Sequence, residues 1–103
     1  MGKAHSVAMA AVGAVFDTAL RPSLEMICTT TEAGAAGKAR QFGFKRSTSD
    51  WRKLVDDPTV EAIVIASPQE THHDIALAAF AKGKHVLCEK PLGLGLDESR
   101  AMV

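Results

Sequence analysis

Residues 60–66 contain an unbroken apolar run, Ala62-Ile63-Val64-Ile65-Ala66, and residues 85–88 form a second, shorter one. Between them His72, Ile75, Ala76 and Ala79 recur at three- and four-residue spacing, while His73 and Asp74 fall on the opposite face. A strand, a helical stripe and a second strand at this spacing read as a right-handed crossover between parallel neighbours. The unbroken first run suits a strand covered on both faces. Ser67-Pro68-Gln69-Glu70 is expected to open the helix as a capping box, with Pro68 at its first helical position. Gly83 is expected to close it as the left-handed residue just past the last turn.

The rest of the chain repeats the alternation. Residues 1–20 read as a helix whose stripe is Ala8, Ala11, Val12, Val15, Phe16 and Ala19, ended by Arg21 and Pro22. Residues 24–28 read as a short strand. Thr29-Thr30-Thr31-Glu32 fits a capping box in which Thr29 caps and Glu32 reaches back. The helix that follows runs to Phe42 with Ala35, Ala36 and Ala39 inward, and Gly43 ends it. Gly34 and Gly37 weaken that helix by roughly 1 kcal/mol each relative to alanine. Residues 44–46 read as a very short strand. Ser49-Asp50 opens a third helix with Trp51, Leu54 and Val55 on one face, stopped at Pro58. Residues 92–96 read as a loop, and Asp97 opens a last helix. The fold class is therefore α/β, a parallel sheet built from strands near 24–28, 60–66 and 84–88 with helices between them.

A length of 103 residues allows at most one domain, and 12 basic side chains balance 12 acidic ones. That balance argues against a nucleic-acid partner. No apolar run approaches the roughly 20 residues a bilayer span needs, and residues 1–20 lack the order of a signal peptide. Cys28 and Cys88 both fall in expected strands. They read as small buried hydrophobes in a reducing compartment, the cytoplasm, and not as a disulfide or a metal pair; no metal site is expected.

In an open α/β sheet the carboxyl ends of the strands face the ligand crevice. Here the second run stops at Glu89-Lys90-Pro91, an acid, an amine and a rigid turn. Upstream stand Asp57-Pro58, then Glu61-Ala62-Ile63-Val64-Ile65-Ala66-Ser67-Pro68 with His72 four residues on, then Ala78-Ala79. Gly83-Lys84-His85-Val86-Leu87-Cys88-Glu89-Lys90-Pro91-Leu92 completes the set. On these residues the chain resembles the Gfo/Idh/MocA family, the dehydrogenases named after glucose–fructose oxidoreductase and inositol dehydrogenase. The resemblance implies a Rossmann-like NAD(P)-binding domain. It implies that Lys90 points into the active site as a catalytic residue, with Glu89 near the nicotinamide ribose and Pro91 fixing the turn. It also implies that Ser67, Pro68 and His72 help line the cofactor. A fixed ammonium at Lys90 would orient a substrate hydroxyl and stabilise developing alkoxide charge. As a bare residue, His72 on an apolar stripe also reads as a packing histidine.

Gly2, followed by His5, resembles the tail of a G-x-G-x-x-G loop at the start of a helix, where phosphate is attracted. An uninformative terminal glycine is the other reading. Aligned back from Phe42-Gly43, Thr29 and Thr30 stand where NAD-preferring relatives carry an acid for the ribose hydroxyls. They offer hydroxyls without an adjacent arginine, so NAD and NADP both remain open. The family implies a sugar, inositol or related polyol as substrate, hydride transfer as the reaction, and a homo-oligomer formed through a C-terminal substrate domain. That domain and the family's Asp-x-x-x-His acid/base segment have no counterpart in residues 1–103. The expectation is thus a partial cofactor domain, truncated at both ends and without the first strand, which in the order 3-2-1-4-5-6 lies between the second and fourth. Such a chain is expected to have no turnover alone, to bind NAD(P) weakly and to be incompletely ordered. The alternatives are a non-catalytic or degenerate Rossmann-like module with little nucleotide binding, and an NAD-dependent glycoside hydrolase of the same superfamily.

Overall fold

The computed structural model describes all of residues 1–103. Its elements are α1 (Gly2–Val15), β1 (Met26–Cys28), α2 (Glu32–Phe42), β2 (Arg46–Thr48), α3 (Trp51–Asp56), β3 (Ala62–Ile65), a 3₁₀ turn (Gln69–Thr71), α4 (His72–Ala81), β4 (His85–Cys88) and α5 (Leu96–Met102). None of the helices is long and apolar enough to cross a membrane. The chain divides into two compact units. One is Lys3–Leu54, and the other joins Met1–Gly2 to Val55–Val103.

In the Lys3–Leu54 unit, β1 pairs in parallel with β2, Met26 opposite Arg46 and Cys28 opposite Thr48. The Lys45 and Arg46 amides donate to the Leu24 and Glu25 carbonyls, which carries the pairing back toward residue 24. The short strand expected at 44–46 therefore lies two residues later. Phe44 and Gly43 are occupied instead in closing α2, both donating to the Ala39 carbonyl, with Gly43 left-handed at φ 81°. Ala35 and Ala39 are buried as expected and Ala36 is half-buried.

The start of α2 differs from the expected capping box. Thr31, in extended conformation, is the N-cap, and its Oγ1 accepts from the Gly34 amide at 3.1 Å. Thr29 Oγ1 instead donates to the Thr31 carbonyl at 3.1 Å. Glu32 turns away from the cap altogether: its carboxylate accepts from the Ser49 amide at 2.9 Å and from the Ser49 hydroxyl. Thr31→Ala should lower stability by about 0.5–2 kcal/mol, the usual range for a lost N-cap, and Thr29→Ala by less, measured by urea denaturation.

The Ser49 bonds also hold the Glu32 carboxyl below its ordinary value of 4.5. A lowered carboxyl contributes stability that is present above the unfolded value and lost as pH falls through the folded one. The urea midpoint is therefore expected to drop as the pH is taken below 4.5. Glu32→Gln should flatten part of that drop, the remainder coming from Glu25, which Lys45 and Ser23 hold low in the same way.

α1 is shorter than its apolar stripe suggests. It ends at Val15, with one further helical bond from the Phe16 amide to the Val12 carbonyl. Ala11 and Val12 are half-buried, but Ala8, Val15, Phe16 and Ala19 are exposed. The following segment folds back on itself: Arg21 Nη1 donates to the Thr18 hydroxyl at 2.8 Å and to the Thr18 carbonyl. The same arginine lies across Gly13, where a Cβ would come within 2.8 Å of Arg21 Cδ. Local side-chain-to-backbone bonds of this kind compete with helix continuation. In α3 Trp51 and Leu54 are half-buried and Val55 is buried.

In the second unit β3 and β4 are parallel, with Ala62 opposite His85 and Ile65 opposite Cys88. The crossover helix α4 buries His72, Ile75, Ala76 and Ala79, the expected stripe. They form a core with Val60, Ile63, Ile65 and Met102. Only one face of β3 is covered: Ile63 and Ile65 are buried, whereas Val64, between them, is 37% exposed, and Leu87 opposite it on β4 is 50% exposed. Within residues 1–103 the second face of β3 is thus less covered than the first. An all-apolar run cannot by itself say whether the second face has a partner.

Two connections need particular residues. Gly83 takes φ 70° between α4 and β4, a left-handed conformation glycine adopts without steric penalty. Lys84, half-buried beside it, turns its ammonium onto the backbone, donating to the carbonyls of Asp57 at 2.7 Å and Val60. At the start of the crossover, Pro68 is the N-cap of a 3₁₀ turn with no side-chain cap, and α4 begins only at His72. Ser67 Oγ is not capping a backbone amide there; it lies 2.6 Å from Thr71 Oγ1.

The ladders are two two-stranded sheets, β1 with β2 and β3 with β4. The expected single sheet running through residues 24–28, 60–66 and 84–88 is corrected accordingly.

Candidate functional site

The parallel β3–β4 ladder sets two loops side by side at its carboxyl end. The Glu89 amide donates to the Ile65 carbonyl at 2.9 Å, so the ladder continues one residue past β4 before the loop departs. The Lys90 amide then donates to the carboxylate of Glu89 at 3.2 Å. Lys90 and Pro91 are exposed, Glu89 is half-buried, and the Lys90–Pro91 peptide is cis, a feature the sequence leaves open.

Beyond Pro91 the backbone is fastened by side chains. Gln69 Nε2 donates to the Gly93 carbonyl at 2.7 Å, and the Leu94 amide donates to the Glu98 carboxylate at 2.7 Å. Gly93 is buried, and a Cβ there would lie 2.8 Å from Glu98 Cβ and 3.2 Å from the Ser99 amide nitrogen. Neither Gln69 nor Glu98 is marked in the sequence. Both act on backbone that composition does not reveal.

On the β3 side Ser67 and Pro68 are exposed. Thr71 Oγ1 donates to the Pro68 carbonyl at 2.7 Å, which tightens the turn into α4. Behind the two loops sits His72, only 2% exposed. Its Nδ1 lies 3.0 Å from the Pro91 carbonyl oxygen and its Nε2 lies 3.0 Å from the Ser67 carbonyl oxygen. One imidazole thus spans both strand ends. Gly2 belongs to this unit as well, and a Cβ placed on it would be 3.9 Å from Ala66 Cβ, at the residue following β3. Gly2, Ser67, Pro68, His72, Glu89, Lys90 and Pro91 are therefore gathered at one end of one ladder. Cys88 ends β4 there, and burial, then the nearby Glu89 charge, push its thiol upward, which keeps it protonated and a poor nucleophile near neutral pH.

Thr29 and Thr30 stand in the Lys3–Leu54 unit, at the carboxyl end of the β1–β2 ladder, where the Thr29 amide donates to the Thr48 carbonyl. Thr29 is half-buried and Thr30 exposed. The Thr29 hydroxyl donates to the Thr31 carbonyl, and its oxygen lies against the start of α2, where a Cβ on Gly34 would come within 3.3 Å of it.

Parallel βαβ pairing, with acid, amine and hydroxyl groups collected at the carboxyl ends of the strands, is the arrangement of nucleotide-binding α/β oxidoreductases. All of residues 1–103 match the family described as "Oxidoreductase family, NAD-binding Rossmann fold", and the chain belongs to this Gfo/Idh/MocA family. It is 49% identical to levoglucosan dehydrogenase of Pseudarthrobacter phenanthrenivorans, over 99% of this chain and 26% of that protein. It is 33% identical to the NAD+-dependent scyllo-inositol 2-dehydrogenase of Bacillus subtilis, over 78% of this chain and 24% of that protein. A solved structure of levoglucosan dehydrogenase in complex with NADH superposes with a TM-score of 0.96 at 48% identity, covering 99% of this chain and 28% of that one. The chain thus spans about a quarter of the length of the relatives it matches. The Rossmann-like α/β fold and the family expected from the sequence both hold.

Proposed function

We propose that this chain forms the cofactor-binding part of an NAD-dependent dehydrogenase that acts on a sugar or a related polyol. The observation that carries the proposal is the grouping of Glu89, Lys90 and Pro91 with Ser67 and Gly2 at the carboxyl end of the β3–β4 ladder. The donor set suits a nicotinamide dinucleotide. The first amides of α1, a helix of 14 residues, suit phosphate, and the exposed loop after β3 offers backbone and hydroxyl groups. The likeness to a relative solved with NADH favours NAD over NADP.

Bound there, the nicotinamide would supply the hydride chemistry. The protein's part is to hold and orient. The Lys90 ammonium would donate to the substrate hydroxyl and stabilise negative charge as it develops on that oxygen. Glu89 would hold the nicotinamide ribose. The sugar class follows from relatives that act on levoglucosan and inositols, and the cytoplasm is the proposed location.

Calorimetric titration of the full-length protein that carries these residues with NAD+ and NADP+ tests this. NAD+ is expected to bind, and to bind more tightly than NADP+. Absence of binding by either would support a non-catalytic module and overturn the proposal.

A further inference from the structure

The loop that carries Lys90 leaves the ladder after a single bond, from the Glu89 amide to the Ile65 carbonyl. Past that point side chains stand in for secondary structure: His72 on the Pro91 carbonyl, Gln69 on the Gly93 carbonyl, and Glu98 on the Leu94 amide. Two of these, Gln69 and His72, come from the turn that begins α4. The third comes from α5.

His72 has a second engagement, because its other nitrogen meets the Ser67 carbonyl in the loop after β3. Its ring is 2% exposed and sits on a helix whose Ile75, Ala76 and Ala79 are buried, so the base of the bridge is rigid. A phenylalanine would fill similar space. What the imidazole adds is polar reach to two separate loops. A neutral imidazole has one N–H and an imidazolium has two, so either form bonds at least one of the loops, and a carbonyl left without a partner in this position is costly.

We propose that His72, assisted by Gln69, is a positioning residue that locks the loop of residues 89–95 to the loop after β3 and so fixes the place of the Lys90 ammonium. The consequence for Lys90 rests on the function proposed above; the locking itself does not. His72 touches neither substrate nor cofactor in this role and acts through the backbone of Pro91 and Ser67.

Three variants separate locking from packing. His72→Phe keeps the ring and loses every bond the imidazole donates to the Pro91 and Ser67 carbonyls. His72→Asn keeps an amide near the Nδ1 position, and Gln69→Ala removes the second fastening without touching the core. Hydrogen exchange is measured on the 103-residue chain. In His72→Phe the amides of residues 89–95 are expected to exchange about tenfold faster, as loss of an ordinary hydrogen bond allows. The amides of α4 and β4 should keep their protection. Gln69→Ala should speed the same loop, and His72→Asn should recover most of its protection. In the full-length enzyme, His72→Phe should lower kcat with NAD+ affinity unchanged, and His72→Asn should restore it.

Unchanged loop exchange in His72→Phe and Gln69→Ala overturns the proposal. So does a loss of protection spread evenly over α4 and β4, or an Asn variant no better than the Phe variant, since these mark His72 as packing alone. If His72→Phe does not fold, the Gln69→Ala and His72→Asn exchange rates decide. Failure of the full-length protein to bind NAD+ would overturn the function proposed above and the role of Lys90, while the exchange data would still judge the lock.

Discussion

On the proposed function, Lys90→Ala in the full-length protein should lower kcat by about 10²–10³-fold, the usual cost of removing one preorganised charge contact aimed at a developing oxyanion. NAD+ affinity should stay within about threefold, because an interaction made only in the transition state lowers kcat and kcat/KM together and leaves binding alone. The expectation has a structural basis in this chain. Lys90 is exposed, yet the backbone on either side of it is pinned, by the Glu89 amide on one side and by the Pro91 and Gly93 carbonyls on the other. A lysine on a fixed loop can be preorganised; one on a loose loop cannot. Lys90→Arg should recover little, since a planar guanidinium does not occupy the place of a compact ammonium. A Lys90→Ala enzyme with wild-type turnover would make Lys90 an ordinary surface residue.

Ile65→Ala should destabilise the chain by about 2–5 kcal/mol, a loss made of transferred methyl groups plus the cavity they leave. Ile65 is 3% exposed on the covered face of β3. A small domain has about 5–15 kcal/mol in all, so the variant should unfold at far lower urea. The neighbouring Val64 points to the other face and is 37% exposed. Val64→Ala should cost about 1 kcal/mol or less. Circular dichroism across a urea gradient reads both. Equal losses would mean that the two faces of β3 do not differ as described.

The contrast between Ile65 and Val64 also marks where the sequence stopped being informative. The run Ala62-Ile63-Val64-Ile65-Ala66 announces a strand, but both faces of it look alike. Which face meets α4 depends on the helix, and the helix stripe of His72, Ile75, Ala76 and Ala79 is readable from its three- and four-residue spacing, even though Leu77 and Phe80 stand exposed outside it. Gly43 and Gly83 were readable too, each ending a helix in the left-handed conformation that few other residues take.

The misplaced details share one cause. Thr29, Thr30 and Thr31 are equivalent as candidate caps by composition. The choice of Thr31 goes with Glu32 reaching Ser49, 17 residues away, instead of its own helix start. Past the end of α1, Arg21 likewise folds back over Gly13, eight residues earlier. In the candidate site, Glu89-Lys90-Pro91 could be located at a strand end by pattern alone. The bridge from His72 to Pro91 spans 19 residues and ends on a backbone carbonyl, so no residue type at its far end betrays it.

Lys84 and Lys90 lie six positions apart in the chain and live in opposite circumstances. The Lys84 ammonium is already occupied by the carbonyls of Asp57 and Val60, whereas Lys90 is exposed. An amine must leave its carbonyls before it can attack an acylating reagent. Under brief treatment with acetic anhydride, Lys90 should therefore label promptly, and Lys84 only as often as the joint between α3 and β3 comes apart. The ratio of the two, read by mass spectrometry from one digest, becomes a clock for the opening of that joint, with its own reference built into the same peptide.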